Sequence, residues 1–245
     1  MSIRYQIIIP SRYASTRLPG KPLLEIAGKP LIQHVYEAAR ASLAERIIIA
    51  TDDERIRNSA MAVGAEVIMT SSHHNSGTDR LAEVVALMNE SDDSIIVNLQ
   101  GDEIGMPASL LDQVASALHA NPDRSMATLC APITDTADYN NPNIVKVVFD
   151  NRNTAMYFSR SPLPWSKQGD VPAGAYRHIG LYAYRCGFLK KFSATPVCQL
   201  ERSESLEQLR ALFHGMKIHV EVACDHPGIG IDTPEDLEKA RNLIR

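Results

Sequence analysis

Residues 95–103 read IIVNLQGDE: a continuous apolar run, then Asn98, then a glycine at 101 and two acids. A strand that is apolar on both faces must be covered on both. That is the condition inside a parallel sheet with helices on either side. Similar runs stand at Ile7-Ile8-Ile9, at Ile47-Ile48-Ile49-Ala50 and at Glu66-Val67-Ile68-Met69. Between them apolar residues recur at helical spacing: Leu31, Ile32, Val35 and Ala39; then Ile56, Ala60 and Val63; then Leu81, Val84, Val85 and Met88. Leu110, Leu111, Val114 and Leu118 repeat that spacing after the fourth run. The alternation predicts an α/β fold with a doubly wound, mainly parallel sheet and helices on both faces. Ligands of such sheets bind beyond the carboxyl ends of the strands. Polar residues collect at those ends: Arg12 and Arg17 after the first, Asp52 after the second, Gln100 to Glu103 after the fourth.

From about residue 125 the rhythm changes. Met126 to Pro132, Val145 to Asp150, Ala155 to Ser159 and Ile179 to Tyr184 are β-rich with little helix between them, which predicts an antiparallel, β-rich segment. A helix is expected around Leu206 to Phe213, a strand at Ile218 to Val222, and a closing helix opened by Thr233-Pro234-Glu235-Asp236. That quartet supplies a cap, a proline at the first helical position and acids in the first turn. No repeat or long linker interrupts the 245 residues, so one domain is expected, with residues 1–124 and 125–245 as its two halves.

Composition narrows the function. With 25 Lys plus Arg against 29 acids the formal charge is −4, a poor footprint for a nucleic-acid binder. Four scattered cysteines without metal-ligand spacing point to free thiols in a reducing compartment, and no apolar run approaches a membrane span. A cytoplasmic protein without membrane or nucleic-acid partners is expected.

Three segments could carry chemistry. Residues 10–22, PSRYASTRLPGKP, follow the first strand and bring Arg12, Arg17 and Lys21 onto an irregular loop. Cations beside free backbone N–H groups make a polyphosphate cradle, although neither a Walker A loop nor GxGxxG is present. In VNLQGDE, Gly101 permits a turn and Asp102 stands where the sheet opens. Mg2+ needs only one or two protein carboxylates plus phosphates, and Asp232, in HPGIGIDTPED, is a candidate partner; an ordinary helix cap explains Asp232 equally well. In HNSGTDR, Ser76-Gly77-Thr78 enters a helix and could hydrogen-bond a ligand, though capping by Thr78 or Asp79 accounts for the same pattern.

Taken in order, YASTRLPGKPL, ATDDERI, HNSGTDR, VNLQGDE, NPNIVKVVFD, RHIGLYAYR, LEQLRAL and GIDTPEDLEKAR resemble the 3-deoxy-D-manno-octulosonate (Kdo) cytidylyltransferases, or CMP-Kdo synthetases, from about residue 5 to 243. The resemblance implies a nucleotide-diphospho-sugar transferase-like fold and a reaction in which Kdo attacks the α-phosphate of CTP, giving CMP-Kdo and pyrophosphate for lipopolysaccharide assembly. It implies that Arg12, Arg17 and Lys21 hold the triphosphate, that Asp102 and Asp232 hold one or two Mg2+ ions, and that Ser76, Gly77, Thr78 and Arg80 lie at the nucleotide. It also implies that Gln100, Arg160, His178, Tyr182, Glu207 and Gln208 line the sugar-acid pocket, and that the protein is a homodimer. On the same resemblance residues 1–124 are the nucleotide-binding half, and 125–245, with the β-rich segment, the sugar-binding and dimerisation half. The chain departs from the family where Ile104-Gly105-Met106 replaces Pro and an aliphatic run, and in a shorter loop after Trp165. The same reaction on 8-amino-3,8-dideoxy-D-manno-octulosonate, a sialic-type acid cytidylyltransferase and a catalytically inactive nucleotide sensor are the alternatives.

Overall fold

In the computed structural model, which describes residues 3–14, 18–74 and 76–243, a nine-stranded sheet runs through both halves of the chain. Its strands are β1 (Gln6–Ser11), β2 (Arg46–Thr51), β3 (Glu66–Met69), β4 (Ile95–Asn98), β5 (Met126–Pro132), β6 (Lys146–Phe149), β7 (Ala155–Ser159), β8 (Tyr176–Arg185) and β9 (Ile218–Val222). The four apolar runs form a parallel block in the order β3-β2-β1-β4, Ile8 lying between Ile48 and Asn98. Beyond it β8 runs antiparallel to β4 and pairs with β5, whose other edge takes β9 in parallel. The β6–β7 hairpin joins the first residues of β8, at Tyr176 and Arg177.

Period-two side-chain alternation explains the unbroken apolar runs. Ile7, Ile9, Ile49 and Val97 face one layer of helices: α1 (Leu31–Arg40), α2 (Glu54–Ala62), α4 (Ala108–Ala120) and α9 (Pro234–Leu243). Ile8, Ile48, Ala50 and Ile96 face the opposite layer, with α3 (Gly77–Met88), α6 (Cys186–Phe192) and α8 (Gln208–Phe213). Ile7, Ile8 and Ile9 are all fully buried, each contributing about 1.5–3 kcal/mol by leaving water. Two short helices, α5 (Thr136–Asn140) and α7 (Gln199–Glu204), complete the fold.

The helix starts refine the sequence expectations. Asp53 caps α2 by accepting from Arg55 N, which leaves Asp52 to pair with Arg80 at 3.1 Å. Ser76, rather than Thr78 or Asp79, caps α3 by accepting from Asp79 N. Thr233 and Asp236 cap α9 reciprocally: Asp236 N donates to Thr233 Oγ1 at 3.2 Å and Thr233 N to Asp236 Oδ2 at 3.1 Å. The expected helix at 206–213 is the shorter α8, preceded by α7.

Candidate active site

The carboxyl ends of β1 and β4, the start of α3 and the loop before α9 enclose a cleft of about 240 Å³. Arg12, Lys21, Ser76, Gly77, Arg80, Gln100, Asp102 and Asp232 line it, so eight residues singled out in the sequence meet there. Arg17 lies outside the described residues.

Asp102 and Asp232 are brought together by backbone. Ile229 and Gly230 pair antiparallel with Ile104 and Glu103, and Ile231 N donates to Asp102 O at 2.9 Å. Gly228 makes this approach possible: a Cβ there would lie 2.4 Å from Ile104 O and 2.7 Å from Met106 N. Gly101 plays the same part on the other side of the turn, where a Cβ would meet Ser11 Oγ at 2.3 Å and Pro10 O at 2.8 Å.

Between the two aspartates lies the Lys21 ammonium. It donates to Asp102 Oδ2 at 2.6 Å, to Ile231 O at 2.8 Å and to Asp232 Oδ1 at 3.1 Å. The residues read separately as phosphate cation and metal carboxylates are therefore in direct contact. The donor set fits a hard cation: two carboxylate oxygens and a carbonyl oxygen already surround one positive charge. Two carboxylates plus substrate oxygens are the usual complement for Mg2+. Beside them Glu103 is pushed up to about 7, by burial first and then by the charges of Asp102 and Asp232. Its Oε2 and the Ser11 hydroxyl are buried without a hydrogen-bond partner among the described residues.

Arg80 is an internal strut. It is 3% exposed, bonds Thr70 Oγ1 and reaches Asp52 Oδ2 at 3.1 Å, fixing the first turn of α3 against β2. With the cap assigned to Ser76, the Thr78 hydroxyl is free to donate to Glu207 Oε2 at 2.5 Å, tying α3 to the start of α8. Burial raises the Glu207 carboxyl above its ordinary range.

The expected sugar residues divide. Tyr182, Glu207 and Gln208 line a separate small pocket of about 30 Å³, and Gln208 is buried. His178 packs edge-on against Phe158 and beside Tyr182, contacts Thr128 Oγ1 at 3.0 Å, and is held by burial to about 3. Arg160 stands outside both pockets. Its guanidinium donates to Glu204 O and Pro142 O, while Lys146, fully buried, donates to Arg160 O at 2.7 Å. Ser11 is not singled out by sequence; Asp52 and Glu103 are marked there only as polar residues at strand ends and Arg80 only as a nucleotide contact, and the Asp52–Arg80 pairing leaves no sequence signal.

The cytidylyltransferase family model matches residues 6–218. The 3-deoxy-manno-octulosonate cytidylyltransferase of Pseudomonas syringae pv. syringae is 53% identical over 252 residues, covering 100% of this chain and 99% of that one. Its namesake from Thioalkalivibrio sulfidiphilus is 52% identical over 247 residues, with 98% and 99% covered. Among solved structures, a CMP:2-keto-3-deoxy-manno-octonic acid synthetase complexed with CTP superposes with a TM-score of 0.90 at 43% identity, covering 99% of this chain and 98% of the other. A 4-diphosphocytidyl-2C-methyl-D-erythritol synthase, 12% identical with a TM-score of 0.66, has the same fold.

Proposed function

The chain belongs to the 3-deoxy-manno-octulosonate cytidylyltransferases, within the wider cytidylyltransferase family, and from that premise we propose that it transfers CMP from CTP to Kdo. The anomeric oxygen of the sugar bonds to the α-phosphorus as the bridge to the β-phosphate breaks, releasing pyrophosphate. The observation that carries this reading is the convergence of Lys21, Asp102 and Asp232, from three distant chain segments, in one cleft beside Arg12.

In-line transfer at phosphorus asks the protein for positioning and charge stabilisation more than for covalent chemistry. Arg12 and Lys21, with Arg17, meet the triphosphate and the charge that grows on departing pyrophosphate. The first turn of α3 offers the Ser76 hydroxyl and the backbone N–H groups of Gly77 and Thr78, at the positive end of the helix. Arg80 holds that turn in place. One or two Mg2+ ions held by Asp102 and Asp232 would polarise the phosphate and lower the pKa of the acceptor hydroxyl. Gln100, Tyr182, Glu207 and Gln208, with Arg160 and His178, would recognise the sugar acid. In a bacterial cytoplasm the product would feed lipopolysaccharide assembly. A homodimer would use the 125–184 segment, where Met156 and Trp165 are exposed by 66% and 75%.

A pyrophosphate-release panel tests the reading: four nucleoside triphosphates against Kdo, its 8-amino analogue and N-acetylneuraminate, with and without Mg2+. The account expects turnover with CTP and Kdo, dependent on Mg2+. A preference for the 8-amino sugar would reassign the substrate, and CTP binding with no pyrophosphate release would overturn the enzyme reading.

A further inference from the structure

Resting on the nucleotidyl-transfer reading above, we propose that the Lys21 ammonium is a resident placeholder for the divalent cation, giving way only when a triphosphate draws it off. Three oxygens close on Nζ, at 2.6, 2.8 and 3.1 Å. An ammonium has three donors, so all of them are taken. Two of these oxygens belong to the carboxylates that would ligate metal. The Lys21 side chain is 11% exposed, against 33% for Asp102 and 52% for Asp232, so the carboxylates open to the cleft while the ammonium is sunk between them.

The space suits one cation at a time. Mg2+ draws its oxygens to about 2.0–2.1 Å, closer than any oxygen stands to Nζ, so a metal bridging both carboxylates would displace the ammonium. The ammonium thus sets a positive charge beside three neighbouring acids, Asp102, Asp232 and the buried Glu103. In the nucleotide-free protein Lys21 therefore does the work of a counter-ion. Its four-carbon stem is flexible, and its charge serves a phosphate as readily as a carboxylate. When the triphosphate arrives, Nζ moves to phosphate oxygens and both aspartates turn their lone pairs to the metal that accompanies the nucleotide. Metal and nucleotide affinities are then coupled, and by thermodynamic linkage each raises the other by the same factor. The free protein is thereby protected from binding metal without substrate.

The test is Mn2+ binding, read by the electron paramagnetic resonance of unbound Mn2+, with and without a CTP analogue whose α–β bridge cannot be cleaved. It is run on the wild type, on Lys21→Met, and on Lys21→Gln, whose polar side chain serves should the methionine variant fail to fold. Wild type should bind Mn2+ weakly alone and tightly with the analogue. Removing the unit charge that stands 2.6 Å from Asp102 Oδ2 and 3.1 Å from Asp232 Oδ1 should tighten Mn2+ binding to the nucleotide-free variant by about tenfold or more, and should shrink the enhancement by nucleotide by the same factor. A Lys21 variant that binds Mn2+ no tighter than wild type without nucleotide overturns the proposal. Adding Asp102→Asn separates the two levels of the account. Loss of the gained affinity in the double variant supports the proposal, whereas wild-type-like Mn2+ binding by Asp102→Asn with the analogue would defeat the underlying metal assignment itself.

Discussion

Replacing Gly228 by alanine adds one methyl group where two backbones already touch. The new Cβ would stand 2.4 Å from Ile104 O, 2.7 Å from Met106 N and 2.9 Å from Gly105 C, all of them backbone atoms that cannot rotate aside. Ordinary contact begins at 3.4 Å, so the loop before α9 and the turn after β4 must part by about 1 Å. The Ile231 N to Asp102 O hydrogen bond, 2.9 Å long, would stretch past useful length, and the ladder at Ile229–Ile104 and Gly230–Glu103 would open with it. Overpacking of this kind costs about 1–3 kcal/mol, which a domain of this size survives. Function should suffer more. The opening separates Asp102 from Asp232, and a misplacement of about 1 Å at reacting groups costs about a hundredfold in rate. Pyrophosphate release at saturating CTP and sugar, beside urea unfolding, measures both effects. A Cβ on Gly230 meets nothing within 4 Å, so Gly230→Ala is the control and should keep most of the turnover. A folded Gly228→Ala enzyme with wild-type turnover would refute the claim that this contact sets the carboxylate spacing.

Thr78→Val keeps the side-chain shape but removes the donor at 2.5 Å from Glu207, so it should cost about 1.5–3 kcal/mol in urea unfolding; no measurable loss would contradict the α3–α8 tie. His178 is held neutral by burial, with its pKa depressed from 6.5 to about 3, so its contribution is present above pH 6.5 and is lost as pH falls toward 3. The stability of wild type relative to His178→Gln should therefore fall by up to about 1.4 kcal/mol per pH unit through that window, and parallel pH profiles would contradict it. Lys146→Met strips three backbone carbonyls, those of Asn141, Ile144 and Arg160, of their shared donor. A loss of about 3 kcal/mol and a raised KM for the sugar acid rather than for CTP are expected, and an unchanged sugar KM would remove Lys146 from the support of Arg160.

The parallel block was legible because its central strands, β1, β2 and β4, carry buried residues on both faces, while edge strand β3 is only partly covered. Ile7-Ile8-Ile9 cannot be read as a half-exposed strand, and the helical spacing between the runs supplies the covering layers. The cleft residues were legible because they crowd the strand ends, where a buried strand has no other use for Arg12, Gln100 or Asp102. Lys21 was legible as a site residue but not in its contacts, because its partner Asp232 is held by a two-residue ladder too short to leave a sequence pattern. The α3 cap was ambiguous for a local reason: Ser76, Thr78 and Asp79 all have capping side chains, and the choice depends on Glu207, far along the chain. Arg160 shows the reverse case. A guanidinium after a strand looks available to a ligand, yet the carbonyls of Pro142 and Glu204 come to it only in the folded chain.

The central claim is that Asp102 and Asp232 share a divalent cation at the foot of the nucleotide's phosphates. Crystals grown with Mn2+ and the uncleavable CTP analogue, measured for anomalous scattering, test it most directly. The account predicts a manganese peak bonded to both carboxylates and to phosphate oxygen, with Lys21 turned toward the triphosphate. Manganese bound by phosphates alone, with Lys21 still between the two aspartates, would contradict it.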